Sequence, residues 1–179
     1  MMSNFRNNVI MVILAAFVLF LQGCSSLPRD NYGGNAMQQA LFQAVSERDS
    51  DTVRRIIRDG ADLDSQDAKG RTALMIATYH NDVETAKALI EAGADVNMQD
   101  EMGNSPFLYA GAEGYLDILK LTIKGGANPA ITNRYGGTAL IPASEHGYVE
   151  VVQELLTRTT VDVNQAHMTS PTGRFTTIT

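Results

Sequence analysis

The sequence predicts an all-α solenoid of about four helix-turn-helix repeats, and three observations carry that expectation. The tripeptides Gly60-Ala61-Asp62, Gly93-Ala94-Asp95 and Gly126-Ala127-Asn128 recur every 33 residues. Ala44, Ala77, Ala110 and Ala143 keep the same interval, and so do the apolar residues Leu41, Leu74, Phe107 and Leu140. Between these markers the apolar positions follow helical spacing, first as Val83, Ala86, Leu89 and Ile90, then as Leu116, Leu119, Thr122 and Ile123. A fixed period of this length is the signature of stacked repeats. Each helix pair leaves an apolar face that only a neighbouring pair can cover.

Within one period the elements come in a set order. A glycine-bearing turn (Gly70, Gly103, Gly136) precedes Thr72-Ala73-Leu74, Ser105-Pro106-Phe107 and Thr138-Ala139-Leu140. Thr72, Ser105 and Thr138 are expected to cap the first helix, because a short side-chain oxygen can accept from the free N–H groups of the opening turn. The second helix then ends at Gly60, Gly93 or Gly126, where the absent Cβ allows the left-handed conformation that stops it.

On these residues the chain resembles the ankyrin repeat family, whose pattern runs turn-Gly-x-Thr-Pro-Leu, helix, Gly, helix, Leu-Leu-x-x-Gly-Ala-Asp-x-Asn. The resemblance assigns repeats to 35–66, 67–99, 100–132 and 133–165. The first lacks the Gly-x-Thr-Pro-Leu opening and reads as an N-terminal cap. Thr159 stands where the period expects glycine, the loop there is one residue longer, and the fourth repeat is expected to end loosely. Residues 166–179 follow as a tail, either a disordered terminus or the mark of a truncated copy of a longer protein, with truncation preferred.

The N-terminus is of a different kind. Val9 to Leu21 is a run of 13 apolar residues preceded by Arg6 and followed by Gln22, Gly23 and Cys24. The run is short for a permanent span, which needs about 20 residues. It fits the apolar region of a secretory signal. Leu21-Gln22-Gly23-Cys24 resembles the lipobox of bacterial lipoproteins, with Gln22 as a departure at the second position. The resemblance implies a signal peptide over 1–23, removed in the mature protein, and a lipidated Cys24 carrying several acyl chains. A flexible tether would cover 24–34. Several chains anchor stably, since each buried CH₂ contributes about 0.8 kcal/mol. Ser25 implies delivery to the outer membrane of a Gram-negative cell, with the domain facing the periplasm.

Charge and motifs exclude more than they assign. Against 14 Lys and Arg stand 20 Asp and Glu, a formal −6, so no nucleic-acid partner is expected. One cysteine makes no intramolecular disulfide and no Cys-rich zinc cluster. No Gly-x-Ser-x-Gly, phosphate-loop, His-Glu-x-x-His or dinucleotide motif occurs, so no enzyme, cofactor, metal or small-molecule substrate is expected. His80 and His146 sit two periods apart and read as polar surface residues. Asp62 to Asp67 lacks the glycine and terminal Glu of a calcium loop.

The resemblance implies a non-catalytic module that grips a protein partner with the turn tips and first-helix ends lining a concave face. Carried over by offset, that face includes Gln38, Ser46 and Glu47 in the first repeat. The second supplies Lys69, Arg71, Tyr79 and His80, and the third Glu101, Met102, Asn104 and Glu113. Arg134, Tyr135, Glu145 and His146 belong to the fourth. Tyr, Arg and Met are types enriched among interface anchors. For the partner, resemblance to exported ankyrin proteins leaves two classes: a toxic phospholipase-type effector neutralised by an immunity or accessory protein, or a periplasmic enzyme of oxidative-stress defence held by a guard. A truncated, non-functional copy is the remaining alternative.

Overall fold

The structure, a computed structural model, describes residues 33–159, with side chains from Ala36 onward. The expected signal peptide, Cys24, most of the tether, residues 160–165 of the fourth repeat and the tail over 166–179 therefore lie outside the described residues. Eight helices and no strand are found among the described residues: α1 Gly33–Ser46, α2 Ser50–Arg58, α3 Ala73–Tyr79, α4 Val83–Glu91, α5 Pro106–Ala112, α6 Leu116–Lys124, α7 Leu140–Glu145 and α8 Val149–Arg158. Gly33 and Gly34, expected to end the tether, instead open α1. Once α1 is nucleated by the packing of Leu41 and its neighbours, each further residue adds one hydrogen bond.

First helices pack on first helices, α3 on α5 on α7, and second helices on second helices, α2 on α4 on α6 on α8. The periodic alanines explain how closely they approach. Ala44, Ala77, Ala110 and Ala143 are each at most 3% exposed and lie in one continuous core with Leu41, Leu74, Phe107, Leu89, Leu119 and Leu155. The tightest approach is at Gly111 of α5, where a Cβ would come within 2.6 Å of the Ala139 Cβ. Only hydrogen fits there.

Local chemistry accounts for the helix ends. Thr72 and Ser105 cap α3 and α5 by accepting from the amides of Met75 and Leu108. Asp49 and Asp82 do the same for α2 and α4, through Thr52 and Thr85. Between first and second helix one residue per period is left-handed: Arg48, Asn81, Gly114 and Gly147. The second helices α2, α4 and α6 stop at Gly60, Gly93 and Gly126, all with φ near +90°. Thr159 has no such freedom and ends α8 in an extended conformation, with φ −125°.

One expected cap is absent. Thr138 caps nothing; α7 starts one residue later, with Ala139 at the cap position and no side-chain bond. The cause is Pro142. In α3 and α5 the equivalent residues, Ile76 and Tyr109, donate their N–H to the carbonyl of the capping Thr72 or Ser105. Proline has no N–H, so that first helical bond cannot form over Thr138. The ladder begins instead with Ala143 N–H to the Ala139 carbonyl.

Candidate docking surface at the turn tips

The turns ahead of α3, α5 and α7 are built alike. Asp67, Asp100 and Asn133 each accept two backbone N–H bonds on one side-chain oxygen: from Lys69 and Arg71, from Met102 and Asn104, and from Tyr135 and Gly137. Such local bonds hold the tip without any regular sheet. Neighbouring tips are also tied together. The Glu101 amide donates to the Lys69 carbonyl at 3.2 Å, and that of Arg134 to the Met102 carbonyl at 3.0 Å. Gln66 bridges to the carbonyls of Gly70 and Gln99, and Gln99 to those of Gly103 and Thr132. The result is a continuous, hydrogen-bonded edge.

What differs between turns is the second oxygen of the acidic residue. Asp67 Oδ2 takes a forked pair of bonds from Arg71 Nε and Nη2, at 2.8 and 2.6 Å. Burial pushes the Asp67 carboxyl up, but the Arg71 bonds and the tip amides outweigh it, so it titrates below the ordinary range. Asp100 Oδ2 instead accepts from the Tyr79 hydroxyl at 2.5 Å, joining α3 to the next turn. Burial, then this bond and the nearby Asp100 charge, push the Tyr79 phenol well above its usual value. The Tyr79 ring meets Tyr109 edge-on at 4.3 Å between centroids, and Tyr109 meets Tyr115 at 6.2 Å.

These contacts gather part of the expected set. Lys69, Arg71, Tyr79 and Met102 line one open groove together with Asp100 and Glu101. Met102 is 39% exposed, and Arg134 of the next tip sets Nη1 3.2 Å from its sulfur. The Arg134 guanidinium also lies 5.3 Å from the centre of the Tyr135 ring, which is 66% exposed. Asn104 takes part through its amide, which is tied to Asp100. An aromatic edge of mixed charge thus runs from Lys69 to Tyr135.

The remaining expected residues do not line the groove. His80, Glu113 and His146 are the C-terminal caps of α3, α5 and α7, with Glu145 the last residue of α7. Glu113, Glu145 and His146 are exposed, and His146 stacks on Tyr148. His80, expected at the polar surface, is half-buried. Its Nδ1 is enclosed without a partner, and its carbonyl accepts from Arg48 Nη2 at 2.5 Å. In the first repeat the Gln38 amide nitrogen is likewise enclosed, Ser46 bonds back to the Phe42 carbonyl, and Glu47 accepts from Gln43. Asp67, Asp100, Asn133 and Tyr109 were not anticipated. The first three recur at the 33-residue interval and were open to detection; Tyr109 aligns with Ile76 and Pro142, so no offset marks it. Among the described residues no group of three or more His, Cys, Asp or Glu is placed to hold a metal ion.

The family model for ankyrin repeats matches three times, over residues 14–100, 41–133 and 92–167. This chain belongs to the ankyrin repeat family. Among solved structures, an ankyrin repeat domain from Acinetobacter baumannii AYE is 49% identical, with a TM-score of 0.67, covering 69% of this chain and 63% of the other. The ankyrin repeat protein EF0377 is 43% identical, also with a TM-score of 0.67, covering 70% and 64%. This chain thus spans less than two thirds of the length of either. In ankyrin terms the tied tips are the turns between repeats, and no catalytic family is indicated by these likenesses.

Proposed function

We propose that the chain is a non-catalytic protein-binding module that docks its partner along the turn tips from Lys69 to Tyr135. The observation that carries this reading is the groove of Lys69, Arg71, Tyr79, Asp100, Glu101 and Met102, continued by Arg134 and Tyr135. Exposed Met and Tyr side chains there are flanked by cations and held on turns already ordered by hydrogen bonds. Little conformational entropy remains to be lost on docking.

The reading includes a lipid anchor at Cys24 on the periplasmic side of the outer membrane, supported by the lipobox residues Leu21 to Cys24. The partner classes are those that the sequence resemblance implies. The first is a phospholipase-type effector, neutralised where it attacks membrane; the second is a periplasmic enzyme of oxidative-stress defence. Fold alone does not choose between them.

The test uses the anchored full chain to recover its partner and then Lys69→Glu with Met102→Arg, two exposed changes that leave the backbone hydrogen bonds of the tips in place while removing the Arg134 contact to the Met102 sulfur. Partner affinity should fall at least tenfold with an unchanged thermal melt; unchanged affinity would reject this surface. Incorporation of a palmitate analogue should disappear in Cys24→Ala, and labelling that persists would reject the anchor.

A further inference from the structure

Two arginines stand on the turn tips, and only one has its charge met there. Arg71 sets the fork of its Nε and Nη2 on Asp67 Oδ2, at 2.8 and 2.6 Å, a carboxylate of its own turn. Arg134 belongs to the third tip, where the position of Asp67 is held by Asn133. The Asn133 oxygen is taken by the amides of Tyr135 and Gly137, and its side-chain nitrogen is a donor that cannot receive a guanidinium. Among the described residues no carboxylate pairs with Arg134, Glu101 of the preceding tip included.

The Arg134 guanidinium is nonetheless held in place. Nη1 lies 3.2 Å from the Met102 sulfur, and the group stands 5.3 Å from the centre of the Tyr135 ring. Both supports are exposed, by 39% and 66%. That leaves Nε and Nη2, the fork that Asp67 fills on Arg71, without an acceptor among the described residues.

We infer that Arg134, Met102 and Tyr135 form a seat for a single carboxylate carried beside a large apolar side chain of the protein partner, on the reading that the turn tips are the docking surface. The partner's Asp or Glu accepts from Nε and Nη2 as Asp67 does on Arg71, while its apolar neighbour covers the thioether and the ring. A planar fork already set against a ring loses little freedom when the carboxylate arrives. Glu101 narrows the choice. Its carboxylate, on the adjacent tip, repels a second negative charge, and the formal −6 of the whole chain does so at longer range. A run of acidic residues or a polyanion is therefore disfavoured against one carboxylate beside an apolar group.

The test titrates the full chain carrying Cys24→Ser, in a mild detergent, with short blocked peptides that differ only in two central residues: Glu-Leu, Gln-Leu, Glu-Ser and phosphoserine-Leu. Binding is read by NMR from the Arg134 Nε–H and from the amides of Met102 and Tyr135. The Glu-Leu peptide should give a saturable shift with a millimolar Kd, and the Gln-Leu and Glu-Ser peptides should each bind about three- to fivefold more weakly. Arg134→Gln should erase the preference for Glu over Gln, whereas Lys69→Gln should keep it. Equal binding of the Glu-Leu and Gln-Leu peptides, a preference that survives Arg134→Gln, or the absence of any saturable shift overturns the proposal. So does tighter binding of the phosphoserine peptide, which marks a phosphate site. If the peptides show no preference while Lys69→Glu with Met102→Arg still releases the recovered partner, the docking surface stands and the carboxylate seat alone falls.

Discussion

The Tyr79 hydroxyl donates to Asp100 Oδ2 at 2.5 Å, a bond between the first helix of one repeat and the turn of the next. Asp100 also accepts two amides on Oδ1, so a single buried carboxylate fastens three groups. Tyr79→Phe leaves one oxygen without its donor and should cost about 1–3 kcal/mol, read from urea unfolding. Asp100→Ala should cost more than Asp100→Asn, since Asn133 shows that an amide oxygen can hold the turn.

The same pair makes a prediction about pH. Burial and the Asp100 bond raise the Tyr79 phenol above its ordinary value of 10, so the folded state retains a proton that the unfolded chain releases. The stabilisation is therefore complete below pH 10 and declines as pH rises through 10. Between pH 9 and 11 the parent protein should lose unfolding free energy more steeply than Tyr79→Phe. Parallel curves would count against the bond.

Gly111 and Ala139 supply a steric test. Gly111→Ala sets two Cβ atoms 2.6 Å apart and should cost roughly 1–3 kcal/mol through displacement of α7 from α5. Adding Ala139→Gly should recover much of that loss, because the remaining distance to the Ala139 Cα is an ordinary 3.6 Å. A cycle without coupling would show that the helices are not pressed together here.

Two turn glycines separate conformation from crowding. Gly103 and Gly136 share a left-handed φ, +74° and +73°, but a Cβ at Gly103 would lie 2.7 Å from the Arg134 nitrogen, and one at Gly136 meets nothing within 4 Å. Gly136→Ala should cost about 1 kcal/mol, the conformational penalty alone. Gly103→Ala should cost distinctly more and loosen the tip that carries Arg134 and Tyr135. Equal melting temperatures for the two variants would refute the close approach.

The caps give a graded series. Thr72→Ala and Ser105→Ala should each cost about 1 kcal/mol, the usual value of an N-cap. Thr138→Ala should be nearly neutral, since Pro142 has removed the donor that would start α7 over it. In a Pro142→Ala background Thr138→Ala should acquire a measurable cost. If it remains neutral, proline is not what shifts the helix start.

Much of this protein was legible in the chain because a repeat states its rules several times. The 33-residue interval marked the buried alanines, the stopping glycines, and two of the three expected first-helix caps. Five of the expected docking residues, Lys69, Arg71, Tyr79, Glu101 and Met102, came together in the groove for the same reason. His80 shows where offsets mislead: it shares a position with Glu113 and His146, yet its ring nitrogen is enclosed.

The sequence by itself determined the architecture: all-helical repeats of fixed length, their number, and the turns that separate them. Periodicity is a local property, and local hydrogen-bonding and conformational preferences suffice to set it. Tertiary structure alone decided what each tip can present. The pairing of Tyr79 with Asp100, the seating of Arg134 on Met102 and Tyr135, and the exposure of Val149 and Leu156 all depend on the neighbouring repeat. The physical reason is that a side chain's partner in an array is one period away, and packing, not spacing, sets which atoms meet.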